Sequence, residues 1–331
     1  MELNGKKIAL ICPKFYGYED LIEHELKKRG ATVYLIYENI EWVRIIYRLV
    51  YVYIPKYKKK LIENYYKKQL SGIAETIDLF MVVRGASLSP EILKWIKEIS
   101  PISCKFVMYQ WDGIKNNKTA LDIAPFFDRI STFDKTDATS YGWIYRPLFF
   151  VSQYTDRNVK KDIDILFICA LHSNRAKILN RLKLIAKENG YRLKSVVHLK
   201  KLLYYKYKYI NKKSDVIEVD DKDLTFKPLT ICESYKLYSR SKVVVDYTNI
   251  NQTGYTMRTI EALGNNCKLI TNNRLIVESD FYNNDNIIVY NEDEFDIPSD
   301  FIKSPYKIVS EDINDKYSLE SWLDDLLGDI I

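Results

Sequence analysis

Arg258 and Glu261 stand three positions apart in the run TGYTMRTIEALG, residues 253–264. On a helix, residues three apart share a face, so this spacing presents a guanidinium and a carboxylate together. They fall near the helix start, where backbone N–H groups are unsatisfied and the dipole is positive. A cation, free N–H donors and a carboxylate suit a phosphate joined to a polyhydroxyl group. The plainer alternative is an exposed i,i+3 ion pair. A second such turn lies upstream in LHSNR, residues 171–175, where His172, Ser173 and Arg175 precede a helical pattern. Ser173 is the expected cap there; ordinary surface residues at a helix start are the competing reading.

These side chains need elements to hold them. Residues 241–248 carry three consecutive valines between polar ends, the pattern of a strand buried on both faces. Residues 249–255 are polar, contain Gly254 and read as a loop. Thr256 suits the cap of a helix opening at Met257, and Gly264 reads as its stop signal. Residues 267–271 form a second short apolar strand. Strand, loop, helix and strand in so short a run make a βαβ unit with parallel strands. Such units bind ligands at the carboxyl end of the strand, near the helix start.

The chain opens on a similar alternation: a strand at 6–13, a helix over 19–29 ended by Gly30, and a strand at 31–37. The G-x-G-x-x-G fingerprint of a dinucleotide site is absent after the first strand. Further strands are predicted at 77–85, 105–113 and 127–134, with a helix begun by Ser89 and Pro90, and residues 142–150 lead out of this series through Arg146 and Pro147. A second series starts at 162–170, followed by a helix over 176–189 closed by Gly190. Strands in RLKSVVHL and VIEV, a helix over 229–239, the unit above and a strand at 286–290 come next. Residues 291–315 read as acidic and irregular, and 318–327 as an amphipathic helix with Leu319, Trp322, Leu323, Leu326 and Leu327 on one face. The expected domains are 1–155 and 156–310, both α/β, with 311–331 as a C-terminal helix packing back across the domain interface.

Five dispersed cysteines (12, 104, 169, 232 and 267) show no paired spacing and predict reduced thiols rather than disulfides or zinc ligands. The first apolar run is too short for a signal peptide or a membrane span, which predicts a cytoplasmic protein. Net charge is +6, yet residues 42–70 alone hold eight Lys or Arg against Glu63, so the basic balance is a local patch. Arg44, Arg48, Lys56, Lys58, Lys59 and Lys60 interleave there with Trp and Tyr. That composition suits an anionic membrane interface, single-stranded nucleic acid, or a solvated basic face. Residues 198–213 hold six lysines, four tyrosines and no acid, and read as an exposed basic helix or loop.

GYTMRTIEALGNNCKLIT, together with FVMYQWDGIKNN, PFFDRISTFDKTDA and YRPLFF, resembles bacterial glycosyltransferases that build lipopolysaccharide core, capsule or exopolysaccharide. The lipopolysaccharide core rhamnosyltransferases are among them, and spore-coat glycosyltransferase-like proteins share T-x-R-x-x-E-A-L. The resemblance covers most of the chain. It implies the GT-B architecture, two Rossmann-like parallel-sheet domains facing a central cleft, with a nucleotide-sugar held by the C-terminal domain. In that reading Glu261 takes the ribose hydroxyls, while Gly254, Tyr255, Thr256, Met257 and Arg258 face the diphosphate and sugar. His172, Ser173 and Arg175 reach the same phosphates. The acceptor would be a lipopolysaccharide or other lipid-linked glycan, met peripherally at the cytoplasmic face of the membrane. No metal and no cofactor are implied. Thr253 replaces the first glutamate of the E-x7-E pair found in many retaining members, which leaves retaining and inverting transfer both open. An inverting reaction needs a base from the first domain: Asp112 first, then Glu19 and Asp20. Two other functions fit the same residues: a non-catalytic polysaccharide- or nucleotide-binding protein of this fold, and a single-stranded nucleic-acid binder. Asp220, Asp221 and Asp223 behind the second basic stretch count against the last.

Overall fold

The structure, a computed structural model, describes residues 1–38, 55–172, 174–210, 219–249 and 252–331. The chain divides into two units, one of Met1–Pro147 with Trp322–Ile331 and the other of Leu148–Ser321.

The first unit is built on six parallel strands: β1 (Lys7–Cys12), β2 (Thr32–Tyr37), β3 (Leu79–Val83), β4 (Lys105–Gln110), β5 (Arg129–Thr132) and β6 (Ile144–Tyr145). Their order is β2-β1-β3-β4-β5-β6. All of β3 and nearly all of β1 and β4 are buried, as continuous apolar runs in a parallel sheet require. The helices are α1 (Tyr18–Lys28), α2 (Pro55–Leu70), α3 (Pro90–Ile99), α4 (Thr119–Ile123) and α5 (Lys135–Tyr141). Their ends follow local chemistry. Glu19 and Asp20 open α1 and Lys27 and Lys28 close it, in keeping with its dipole. Ser89 accepts from Ile92 N and Pro90 sits in the first turn of α3. Asp134 caps α5, and Gly142 closes it in the left-handed region.

The second unit holds β7 (Ile163–Ala170), β8 (Leu193–His198), β9 (Leu224–Thr225), β10 (Ser241–Asp246), β11 (Lys268–Thr271) and β12 (Ile287–Val289), again all parallel. Their order is β12-β11-β10-β7-β8-β9. The helices are α6 (Arg175–Asn189), α7 (Lys201–Tyr205), α8 (Ile231–Ser239), α9 (Met257–Gly264), α10 (Ser299–Lys303) and α11 (Glu311–Lys316). A capping box of Thr230 and Glu233 starts α8. Last comes α12 (Leu319–Leu327), whose Trp322, Leu323, Leu326 and Leu327 are fully buried.

Several details differ from expectation. Gly264 does not stop α9; the helix includes it and Asn265 follows as the C-cap. A Cβ at Gly264 would lie 2.5 Å from the Phe150 ring, so this glycine serves close packing rather than termination. Residues 291–315 are not wholly irregular, since α10 and α11 form there. Asn174, not Ser173, directly precedes α6 and makes no side-chain cap; Ser173 lies outside the described residues. Most of the strand expected in VIEV also lies outside them. All five cysteines are free, and only Cys232 is exposed.

Candidate functional site

In the second sheet the chain runs outward from β7 through β8 to β9, then returns to lay β10 on the other side of β7. Strand order reverses between β7 and β10, the position at which open parallel α/β sheets take ligands. Ala170 to Arg175 leave β7 at this point, and Asp246 to Thr248 leave β10.

Two guanidiniums meet there. Arg175 is buried and donates from Nη1 to Ala170 O at 2.9 Å and from Nη2 to Tyr247 O at 3.2 Å. One side chain thus ties the loop after β7 to the loop after β10. Its guanidinium lies 5.7 Å from the centre of the Tyr247 ring. Burial first, then the charge of Arg258, lowers its pKa to about 10. Arg258, on the first turn of α9, pairs with Asp246 at 2.8 Å. Burial opposes its charge, but the Asp246 carboxylate outweighs that and moves the pKa above its ordinary value. Asp246 is fully buried and also accepts from the hydroxyls of Thr248 (3.1 Å) and Thr259 (3.4 Å). Two guanidiniums thus stand beside the start of α9, with Asp246 at the end of β10, Glu261 farther along the helix and Glu292, which accepts from Asn174 Nδ2 at 2.6 Å, on the segment after β12. Cations at a helix start are the groups an anion needs.

The sequence-predicted residues take different places around this centre. Thr256 caps α9 by accepting from Thr259 N at 3.3 Å. Gly254 and Tyr255 are buried, with Asn273 Nδ2 donating to the carbonyls of Thr253 and Gly254. The Tyr255 ring packs edge-on to Phe281, 5.5 Å away. Met257 is half-buried at the helix start. Glu261 is 3 % exposed and shares a hydrogen bond with the buried Tyr238 phenol. The exposed Arg258–Glu261 ion pair is therefore not what forms: Glu261 is buried, and Arg258 has its carboxylate twelve positions back, at Asp246. No pattern within α9 predicts that partner. The available signal was a charged residue at the carboxyl end of a buried valine strand, a position where charge is costly unless used.

His172 lies against Arg175, with its Nε2 at 2.5 Å from Nη1. Burial first, then the charges of Arg175 and Arg258, hold its pKa down at about 4 against the usual 6.5. At neutral pH the ring is uncharged, and Nε2 accepts from Arg175. Between pH 4 and 6.5 the unfolded chain binds more protons at this site than the folded one, so folding stability rises with pH there. This contribution is complete above pH 6.5 and is lost as pH falls toward 4. His172→Gln is expected to shrink the fall in melting temperature between pH 7 and pH 4.5. An unchanged acid slope would remove His172 from this electrostatic cluster.

The first sheet reverses between β1 and β3, and charge gathers at the same edge. Arg84, directly after β3, has φ 76°, a left-handed conformation that a non-glycine residue adopts at a cost. Its carbonyl accepts from Gln110 Nε2 (2.6 Å) and Asn117 Nδ2 (3.0 Å), which hold it there. Its guanidinium pairs with Glu38 at 3.1 Å and stands 3.8 Å from Asp112. Glu38 is buried and accepts from Ser87 N at 2.7 Å; neither it nor Arg84 stood out in the sequence. Asp112 is half-buried, and burial raises its pKa despite Arg84. Glu19 is almost wholly buried and accepts from Phe15 N (2.9 Å) and Gly17 N (3.2 Å), a clamp on the loop after β1. Asp20 is exposed and accepts from the Tyr37 hydroxyl at 3.4 Å. The Phe15 ring lies 5.3 Å from that of Trp111, Asp112's neighbour.

Of the basic patch, Lys59 and Lys60 are exposed, and Lys59 pairs with Glu91. Arg44 and Arg48 lie outside the described residues, as do the side chains of Lys56 and Lys58. Among the described residues no helix is long and apolar enough to cross a membrane. None of their His, Cys, Asp and Glu side chains gather in threes fit for a metal.

Two six-stranded parallel sheets, each flanked by helices and each with its own topological switch point, define a two-domain α/β protein of GT-B fold. The sequence matches no family model and no curated protein. Among solved structures the chain is similar to a glycosyltransferase from Rickettsia africae ESF-5, with TM-score 0.55 and 12% identity over 99% of this chain and 100% of that one. It is also similar to an α,α-trehalose 6-phosphate synthase from Burkholderia multivorans (TM-score 0.53, 9% identity, 99% and 98% covered). A sucrose-phosphate synthase from Thermosynechococcus elongatus follows at TM-score 0.52 and 11% identity, with 98% and 90% covered.

Proposed function

We propose that the protein is a glycosyltransferase that moves a sugar from a nucleotide-sugar to a glycan acceptor, lipopolysaccharide or another lipid-linked saccharide. The observation that carries this reading is the pair of guanidiniums, Arg175 and Arg258, gathered at the β7/β10 switch point beside the start of α9. A diphosphate there meets two cations and free helix N–H groups, and the same groups offset the charge that grows on the diphosphate as it leaves. Neutral His172 adds a donor or acceptor without adding charge. The reading calls for no metal, because the guanidiniums supply the positive charge. The fold neighbours named as a glycosyltransferase, a trehalose 6-phosphate synthase and a sucrose-phosphate synthase agree with it.

Asp112 is the base in an inverting version of the reaction. It takes the proton of the acceptor hydroxyl as that oxygen bonds to the sugar carbon and the bond to the diphosphate breaks. Its support is a carboxyl group half-open to solvent whose pKa is raised by burial, which brings it nearer the range a general base needs. Glu19 is a weaker choice, since both of its hydrogen bonds go to its own loop.

A thermal-shift panel of UDP-, GDP-, dTDP- and CMP-sugars tests the donor half. At a ligand concentration of 100 Kd, binding stabilises the fold by about 2.7 kcal/mol. One nucleotide class is expected to raise the melting temperature, and Arg258→Ala should abolish its effect. Glu261→Gln decides whether that carboxylate takes ribose hydroxyls or is a structural partner of Tyr238: a lost donor shift means the former. If no nucleotide-sugar or nucleoside diphosphate stabilises the protein, the reading falls.

A further inference from the structure

The exposed apolar surface of the described residues is unevenly spread. Leu202 is 77 % exposed, Ile210 76 %, Tyr209 63 % and Tyr205 47 %, all within nine positions. Phe226 is also exposed, and its ring lies 5.2 Å from that of Tyr204 in the same segment. This is not a loose loop. Tyr204 is buried in the core of the second unit, with Leu203 and Tyr207 packed against that core. Helix α7 and the single wider turn after it, Lys206–Ile210, therefore have an anchored inner face and an outward face. On the outward face the Tyr205 and Tyr209 rings stack at 6.1 Å, and Leu202 and Ile210 are exposed in the same segment.

Among the described residues, the exposed charges carried by residues 200–210 are all positive. Lys200, Lys201 and Lys206 are exposed, and residues 198–213 contain no acid. Lys208 is turned back onto Tyr204 and Asp221. Asp220 and Asp223 are engaged by Lys183, so these acids among the described residues are already matched. Leu and Ile at the tips, Tyr beside them and Lys around them form the distribution of an interfacial membrane contact. Apolar tips enter the acyl boundary, Tyr sits at headgroup level, and lysine stems reach back to phosphate. Single-stranded nucleic acid is served less well, because its bases need flat rings, and the two most exposed side chains here are aliphatic.

We propose that the outward face of residues 200–210, with Phe226, docks the second unit on an anionic lipid bilayer. This surface lies on a different unit from the basic 42–70 segment, and it stands independently of the donor reading. The test is co-sedimentation of the full chain with vesicles of phosphatidylcholine alone and of phosphatidylcholine with 30 mol% phosphatidylglycerol. Each lysine near an anionic surface contributes about fivefold to binding, so the mixed vesicles are expected to bind ~100-fold more tightly. Lys200→Glu/Lys201→Glu/Lys206→Glu should remove that preference. Leu202→Ser/Ile210→Ser should weaken binding about tenfold or more while leaving the melting temperature unchanged. Binding that both variants retain would place the contact elsewhere, and no binding to either vesicle would end the proposal. Binding to poly(U) that vesicles do not displace would assign the face to nucleic acid instead. The nucleotide-sugar panel, run on the same variants, reports separately on the donor site.

Discussion

Trp322→Ala is expected to lower the stability of the first unit by about 3–5 kcal/mol. The indole is wholly buried and meets the Tyr109 ring edge-on at 4.8 Å. Removing it costs the transfer free energy of the ring and leaves a void, and the surroundings are poorly able to close that void. Tyr109 donates from its hydroxyl to Arg146 O at 2.9 Å and cannot swing inward without giving up that bond. The helix is pinned as well. Arg129 donates to the carbonyls of Leu326 (3.2 Å) and Gly328 (2.5 Å), Arg29 pairs with Asp324 at 2.7 Å, and Arg146 with Asp325 at 2.6 Å. With a urea m-value of about 2 kcal/mol/M, the unfolding midpoint should fall by about 2 M. Trp322→Phe should recover more than half of the loss. A midpoint within about 0.5 M of the parent for the alanine variant would mean that the last ten residues are ornamental to this unit. Truncation after Ser321 removes Trp322, Leu323, Leu326 and Leu327 together. Set against a total stability of about 5–15 kcal/mol, that loss should leave the unit unfolded.

The buried face of α12 is legible in the sequence, because Leu319, Trp322, Leu323, Leu326 and Leu327 recur with the helical period. Both parallel sheets were legible for a related reason. Runs such as LFMVV and VVV are apolar throughout, and only a sheet covered on both faces needs that pattern. Local signals with local partners also read correctly: Ser89 before Pro90, Thr256 before α9, and Gly190 after α6. Signals with distant partners did not. Gly264 carries the mark of a helix stop, yet its reason is the Phe150 ring, which no window around residue 264 contains. The meeting of Arg175 with Tyr247 depends on β10 returning across two strands to lie beside β7. Nothing in either loop encodes that order. For the same reason Arg258 and Asp112 stand out in the sequence, whereas Asp246, Arg84 and Glu38 do not.

Asp246→Ala should be the most damaging single change at the β7/β10 switch point. It leaves Arg258 without the carboxylate that holds it at 2.8 Å and leaves Arg175 close to an unmatched like charge. Breaking one side of a buried ion pair costs about 3–5 kcal/mol, because the remaining charge is left desolvated and unpaired. For a domain of this size each kcal/mol is worth about 2–4 °C, so the melting temperature should drop by about 10 °C. The hydroxyls of Thr248 and Thr259 also lose their acceptor, and Asp246→Asn, which keeps an oxygen for them, should be milder. The pair can be separated from mere bulk by a double-mutant cycle. Asp246→Ala/Arg258→Met should be more stable than Asp246→Ala alone, since it buries no orphaned guanidinium. The same logic reaches the donor site. With the carboxylate gone, a multivalent anion is the natural replacement between the two guanidiniums. A nucleoside diphosphate or inorganic phosphate should therefore raise the melting temperature of Asp246→Ala by more than that of the parent. Strict additivity in the cycle, or a drop of less than about 3 °C with no anion rescue, would mean that Asp246 neither balances Arg258 nor shapes an anion site.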